Sequence, residues 1–551
     1  MADSDTQRST RRSSVFGPAR IGLLLLFGVL LLGIFARLMN YELSRDEELY
    51  VPPAALLGEW SLYEDFFYNH APGSAWLYQA FYWLFGSAGL LFSARLAVFF
   101  VWLGFAASVA FFGWRFSGSI GASAALLLLV LTNEQLLGVV GSTAANNFPP
   151  LPLAFVGVCL FMLGATGCGL LRDAAPARAG GANPVLVFAS GVFLAAAVSV
   201  KVSAIAFAAP VAIATLFIPA AAPLRRRVAN VLAPLAAGGA LGGAPVLLEF
   251  LKGPERFLAH VVYYHTGPHA AYWAADPAGE GDVAIGLADK LLLAHELWFA
   301  GGTLILCLVA AILLAMLAVS GSGPKIRSAA DGQRLLLAAS VMALVLLLGF
   351  APTPAFPQYF APAVVLLPLI AALIHGQLAG DARRLGGVIL LVASLFGLAA
   401  GLPRIVQHIP KIAKPHTWTV ARVHRDGLAV RDALAEAGVS GKVATLLPIY
   451  PLEGGLSVYP EFATGQFVYR TADFTAPNLL KRYRTTSPGG VRALFENDPP
   501  AALLLGFEPE LEAPMAAFAA EMGYRPLATP KVRNRYGEGT LWVRDRDARD
   551  G

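Results

Sequence analysis

Apolar residues recur along this chain in runs of about twenty, long enough to cross a hydrocarbon layer roughly 30 Å thick. Inside that layer only a helix or a closed barrel satisfies the backbone hydrogen bonds, so each run predicts a spanning helix. The runs place about eleven spans near 21–39, 88–112, 119–140, 147–170, 184–200, 202–219, 228–250, 296–319, 334–351, 358–376 and 386–402. From Pro403 the pattern becomes that of a water-soluble domain. Helical periodicity covers 423–437 and 509–522, and short apolar strand candidates stand at 442–447, 501–507 and 540–543. Their alternation predicts a small α/β domain over 403–551.

The polar positions between the runs orient the chain. With the N-terminus inside, the inner loops hold Arg115, then Arg172 and Arg178, then Arg225, Arg226 and Arg227, then Lys325, Arg327 and Arg334, then Arg383 and Arg384. Every inner loop is basic, as the positive-inside rule requires, so 1–20 is read as a cytoplasmic basic N-terminus and the C-terminal domain as extracytoplasmic. Two outer segments are long. In 40–87 the aromatic stretches 53–60 and 73–85 predict helices lying in the membrane interface. In 251–295, Tyr263, Tyr264, His265, Tyr272 and Trp273 precede a Gly/Asp-rich stretch, which reads as a loop able to order over a ligand.

Composition agrees with the bilayer as solvent: 56% of residues are apolar and only 14% charged, against about a quarter charged in soluble domains. The net charge of +5 sits largely in short loops, where it is an orientation signal rather than a nucleic-acid surface. Cys159, Cys168 and Cys307 fall within apolar runs, with no disulfide framework or zinc spacing. The basic start with Arg8, Arg11, Arg12 and Arg20 imitates a signal peptide, but the run after it is too long and lacks a small-x-small cleavage site, so it is read as a retained first span.

Candidate chemistry begins just after the first span, with Arg45-Asp46-Glu47-Glu48. Alone, such a run is a solvated loop at a helix end. Farther along the same outer segment comes Tyr63-Glu64-Asp65-Phe66-Phe67-Tyr68-Asn69-His70-Ala71-Pro72-Gly73. An outward Asp-Glu pair followed by an aromatic stretch ending in a His-Pro-Pro-Gly type motif resembles the GT-C membrane glycosyltransferases. Within them it is most similar to the branch of protein O-mannosyltransferases, lipid A aminoarabinose transferases and rhizobial galacturonosyl transferases. Asp46-Glu47 match the acidic pair, and His70-Ala71-Pro72-Gly73 match the His motif with Ala71 in place of its first proline. Arg95-Leu96, Lys201 between the fifth and sixth runs, and Gln358-Tyr359-Phe360-Ala361-Pro362 extend the likeness. The sequence departs where Leu49 stands in place of an arginine of the aminoarabinose transferases, and where Asn146 or Asn147 replaces an outer carboxylate.

The resemblance implies an α-helical polytopic GT-C protein with catalytic domain 21–402; the richness in Ala, Gly and Arg suggests a bacterial protein, which puts the chain in the cytoplasmic (inner) membrane with its C-terminal domain in the periplasm. It implies transfer, with inversion, of a sugar from a polyprenyl-phosphate donor to a glycolipid, lipopolysaccharide, glycan or protein acceptor. Displacement at an anomeric carbon builds charge on the departing phosphate and requires a base for a hydroxyl acceptor. Asp46 is the candidate base and Glu47 a second base or metal contact. Lys201 is the candidate phosphate partner, because a lysine between apolar helices is costly unless it snorkels or meets an anion. His70 and Arg95 are further phosphate candidates. Tyr68, Gln358 and Tyr359 are candidates for the sugar pocket, and Asp65, like Glu64, for donor hydroxyls. Plain alternatives stand beside these: Arg95 and Lys201 as snorkelling cations, His70 as a helix cap, Gln358 and Tyr359 as interface residues, and Glu64 and Asp65 as solvated carboxylates. A phosphate acceptor would need no base, leaving Asp46 to orient donor hydroxyls or a cation. Some relatives use a divalent cation such as Mg or Mn, which the acidic pair could hold; the sequence assigns no metal. The competing classes are a transporter or lipid flippase, for which Glu134 in the third run is the one candidate proton site, and a non-catalytic scaffold of an envelope-assembly complex.

Overall fold

The computed structural model describes residues 18–170, 181–275, 283–319 and 328–544. Arg8, Arg11, Arg12, Arg172, Arg178, Lys325 and Arg327, which carry part of the orientation signal, lie outside them. The chain is a mostly helical, multi-pass membrane protein. Six helices among the described residues are long and apolar enough to cross a membrane: Ile21–Asn40, Leu90–Ser117, Gly301–Val319, Ala329–Gly349, Pro357–Gln377 and Gly380–Ala413. The pair Leu224–Gly242 and Ala244–Lys252, bent by 63°, makes a seventh if its two helices are one span. Ile120–Leu131, Pro150–Ala165, Pro184–Val200 and Val202–Ala214 fall on the other predicted runs but are shorter.

Two expectations change. The run 119–140 stops as a helix at Leu131, because the Asn133 side chain accepts the Gln135 and Leu136 N–H groups, each at 3.1 Å, and so competes with the helical ladder. Glu134 then caps another helix, accepting the Gly302 N–H at 2.9 Å, which accounts for this carboxylate without a proton path. Among the described residues of 251–295, Pro254–Leu258, Pro268–Ala274 and Leu287–Trp298 are helical, the first two starting on a proline whose missing N–H costs a helix start nothing, while the Gly/Asp-rich stretch at 276–282 lies outside the described residues.

Beyond Gly380–Val406 the chain forms a four-stranded sheet of β1 (Val443–Ala444), β2 (Ala502–Leu505), β3 (Tyr524–Asn534) and β4 (Gly537–Arg544), in the order β1-β2-β4-β3. Strands β1 and β2 are parallel, the other pairings antiparallel. Helices Thr419–Glu436 and Pro509–Glu521 appear where periodicity predicted them. Strand β3 was not predicted: it contains Pro526 and Pro530 and is largely exposed, so it lacks an alternating apolar signature and forms by pairing with β4.

This domain is bonded to the membrane part. Helix Leu90–Ser117 begins at Gly89, which has no side chain to cap it, and Glu453 supplies the acceptors for the Leu90 and Leu91 N–H groups at 2.9 and 2.8 Å. His424 Nδ1 meets the same carboxylate at 2.7 Å. Arg45 forks onto Glu508 at 2.8 and 2.9 Å, and Tyr264 donates to the Phe467 carbonyl at 2.8 Å.

Candidate active site at the membrane boundary

Asp46, Glu47 and Glu48 lie on the short helix Arg45–Tyr50, directly after the first span. Successive residues on a helix point about 100° apart, so the three carboxylates face three environments. Glu47 faces inward. Arg95 Nε and Nη2 donate to its two oxygens at 2.8 Å each, with the Ala144 N–H at 2.8 Å and the Ser44 N–H at 3.0 Å. Four donors fill the lone-pair sites of the carboxylate, leaving none to act as a base or metal ligand. The Arg95 guanidinium also donates to the Leu38 and Tyr41 carbonyls at 2.8 and 2.7 Å, groups left open at the C-terminal end of the first span. Arg95 is therefore committed to Glu47 and that helix end, and it is not a phosphate ligand. Glu48 turns to the C-terminal domain, accepting the Ile449 N–H at 3.3 Å, and burial pushes its carboxyl well above the usual range. Asp46 opens into a cavity.

His70 and Lys201 reach that cavity through a close backbone approach. A Cβ on Gly73 would stand 2.5 Å from the Ser199 carbonyl oxygen, so only glycine lets the start of helix Gly73–Phe85 touch the end of helix Pro184–Val200. Lys201 follows at the C-cap of the latter helix. Its ammonium donates to Asn147 Oδ1 at 2.6 Å and lies 5.1 Å from the Tyr359 ring centre. Asn147 Nδ2 turns the other way, 3.5 Å from Asp46 Oδ2. The loop carrying Asn147 is held by Tyr78, which donates to the Ala145 carbonyl at 2.6 Å, and by Trp102, which stacks on Phe148 and donates to the Gly141 carbonyl at 2.8 Å.

Two cavities meet here. One, of about 260 Å³, runs between membrane helices and is walled by apolar groups such as Leu151, Phe207, Val345 and Leu348. The other, of about 210 Å³, is polar and aromatic, lined by Asp46, Tyr50, His269 and Trp273, and by Gln466, Phe467 and Arg470 of the C-terminal domain. Both are lined by Asn69, His70, Asn147, Lys201, His265, Gln358 and Tyr359. The shared wall is polar, and it divides an apolar cavity from a polar one.

Electrostatics follow from burial. Burial raises the Asp46 carboxyl above its ordinary range, against the pull of Lys201. It lowers the Lys201 ammonium to about 8, against the pull of Asp46. Burial also lowers His70 and His265, and brings His269 down to about 3, so all three are neutral at pH 7. His70 is thus a hydrogen-bonding group in this wall, not a second cation. His265 Nε2 lies 2.7 Å from the Asn69 carbonyl, which accepts its proton.

Among solved structures, the chain is similar to ArnT from Cupriavidus metallidurans bound to undecaprenyl phosphate: 15% identity, 95% of this chain and 98% of that chain covered, TM-score 0.63. ArnT in the apo state gives 16% identity, the same coverage and a TM-score of 0.62. The chain has a GT-C fold. No family model and no curated protein matches the sequence, so the likeness is one of structure.

Within the GT-C fold, Asp46, His70, Lys201, Gln358 and Tyr359 come together around the two cavities, and the other candidates do not. Tyr68 is buried with its hydroxyl 2.6 Å from Ser74 Oγ and lines neither cavity. Asp65 accepts the Ser61 N–H at 2.8 Å and closes a surface turn, while Glu64 pairs with Arg256 at 2.8 Å. A divalent cation held by the acidic pair does not fit, because Glu47 is saturated by its four donors; nor does any group of three His, Cys, Asp or Glu able to hold a metal occur among the described residues.

Several lining residues carried no sequence assignment to the site. Asn69 Oδ1 and Gln466 Nε2 are buried without a hydrogen-bond partner among the described residues, an acceptor and a donor on the walls of the polar cavity. Arg470 stands among the rings of Tyr272, Phe467 and Trp273, its guanidinium carbon 5.2, 5.3 and 5.4 Å from their centres. Its charge also acts on Asp46. The aromatic content around 263–273 was the one available signal; nothing local marked Gln466 or Arg470.

Proposed function

We propose that this protein is an inverting glycosyltransferase that moves a sugar from a polyprenyl-phosphate carrier to an envelope acceptor. The observation that carries this reading is the wall shared by the apolar and polar cavities, with Lys201 in it and Asp46 on its polar side. A lipid-linked sugar phosphate has the same division: an isoprenoid tail for the apolar cavity, a phosphate for Lys201, and hydroxyls for Asn69 Oδ1 and Gln466 Nε2, which have no hydrogen-bond partner among the described residues. ArnT has been solved bound to undecaprenyl phosphate, which supports a carrier of that class.

In this mechanism the acceptor oxygen attacks the anomeric carbon and the bond from that carbon to the phosphate oxygen breaks, its electron pair leaving with the phosphate. Lys201 balances the charge that develops there, with neutral His70 as a hydrogen-bonding neighbour. A hydroxyl acceptor passes its proton to Asp46, which burial has made a stronger base than an exposed aspartate. Glu47 and Arg95 hold the helix that aims Asp46. The C-terminal domain, taken from 403, completes the polar cavity and recognises the acceptor. The protein resides in the inner membrane with this domain in the periplasm, and 21–402 forms the catalytic membrane part.

The test is transfer in proteoliposomes containing polyprenyl-phosphate sugars and envelope lipid extract, with mass spectrometry of products, beside the envelope glycans of a deletion strain. A product made by the wild type and lost in Asp46→Asn at equal folded protein supports the enzyme. An unchanged envelope in the deletion strain, with no product in vitro, rejects it.

A further inference from the structure

The helix Gly380–Val406 carries cations at both ends. Arg383 and Arg384 stand at one; Arg404, Lys411 and Lys414 follow at the other, and no acidic residue occurs between Asp381 and Asp426. A topology signal explains one end only, because the positive-inside bias belongs to one face of the membrane. The end that leads into the C-terminal domain needs another cause.

That end is built as an interfacial surface. The helix passes into two short turns, Ile409–Ala413 and Pro415–Thr417, before helix Thr419–Glu436. Arg404, Lys411, Lys414 and His416 are exposed, Ile409, Ile412 and Trp418, which alternate with them along the chain, are half-buried, and Val406 is 39% exposed. Trp418 ties this surface to the bilayer boundary: its ring packs edge-on against Phe35 of the first span at 5.6 Å, and its indole N–H donates to the Lys411 carbonyl at 2.7 Å. The nearby Glu42 is already paired with Arg422 at 2.9 Å. Cations interleaved with apolar positions and a tryptophan packed on the first span, where the chain passes from its last apolar run into the C-terminal domain, match a layer of anionic headgroups over acyl chains.

We propose that Arg404, Lys411 and Lys414 form a headgroup-binding collar for anionic glycerophospholipids of the leaflet on the C-terminal domain's side, seating that domain over the cavities. The collar does not depend on the chemistry proposed above, and its test involves no sugar transfer.

The full-length protein is reconstituted in phosphatidylcholine containing phosphatidylglycerol, and the lipids it retains are counted by native mass spectrometry. The wild type is expected to retain phosphatidylglycerol in preference to phosphatidylcholine. Loss of roughly fivefold in that preference per cation removed follows from the surface energy of one basic residue, so Lys411→Ser/Lys414→Ser is expected to lose about 25-fold. Lys411→Arg/Lys414→Arg keeps the preference, and high salt removes it from the unaltered protein. Equal retention of the two lipids by the wild type, retention by the serine pair equal to wild type, or insensitivity to salt would each overturn the proposal.

Discussion

Arg95 and Glu47 form a two-pronged ion pair, 2.8 Å at each prong, between the start of one membrane helix and the short helix Arg45–Tyr50 that follows another. The pair is fully buried, and its guanidinium also closes the C-terminal end of the first span. The neighbouring Asp46, one residue earlier, faces the polar cavity. One carboxylate of the acidic pair is therefore structural, and it aims the other.

Removing one member of a buried pair strands the other charge, at a cost of about 3–5 kcal/mol. Glu47→Gln and Arg95→Gln are accordingly expected to lower the unfolding midpoint in detergent and the yield of folded protein. Asp46→Asn is expected to leave both unchanged.

The reverse holds for turnover. Asp46→Asn removes the proposed base, and transfer to a hydroxyl acceptor is expected to fall by about 10²–10⁴-fold. Product formation at matched protein and lipid measures it, and a phosphate acceptor, already anionic, would show a far smaller loss.

Lys201 sets a pH limit. Its ammonium, lowered to about 8 by burial, is charged below that pH and neutral above it, so kcat/KM is expected to fall as pH rises through about 8. On the acid side, kcat/KM falls as the Asp46 carboxylate takes up a proton, at a pH above the ordinary aspartate range because burial raises it. Lys201→Arg is expected to abolish the alkaline limb. Asn147→Asp, which sets a carboxylate against Lys201, is expected to move both limbs to higher pH.

The C-terminal domain is expected to matter through Arg470. Arg470 lines the polar cavity and its charge acts on Asp46, so Arg470→Ala is expected to lower kcat/KM. Arg470→Lys is expected to recover only part, since lysine lacks the planar fork that stands among Tyr272, Phe467 and Trp273. An equal kcat/KM for Arg470→Ala would remove this domain's cation from the site.

Much of the site is legible in the chain. Gly73 ends a short motif whose spacing to His70 is local, and Lys201 stands out because a lone cation between two apolar runs needs a reason. Arg95 looked the same for the same reason, and only its partner, 48 positions earlier, separates a structural cation from one in the cavity wall. Asn147 registered only as a missing carboxylate, although its amide joins Lys201 to Asp46.

Taken by itself, the sequence determined that the first four hundred residues live in a bilayer, where the apolar runs lie, and that a mixed α/β domain follows, because hydrophobic length and periodicity are sums over neighbouring residues. It also marked the acidic run and the histidine motif. Which way Asp46, Glu47 and Glu48 point, which cations are already spent, and that a surface domain more than 400 residues downstream supplies Gln466, Phe467 and Arg470 were decided by the tertiary structure alone. Those facts depend on a 100° turn per helical residue and on contacts between distant segments, neither of which leaves a mark on the residues nearby.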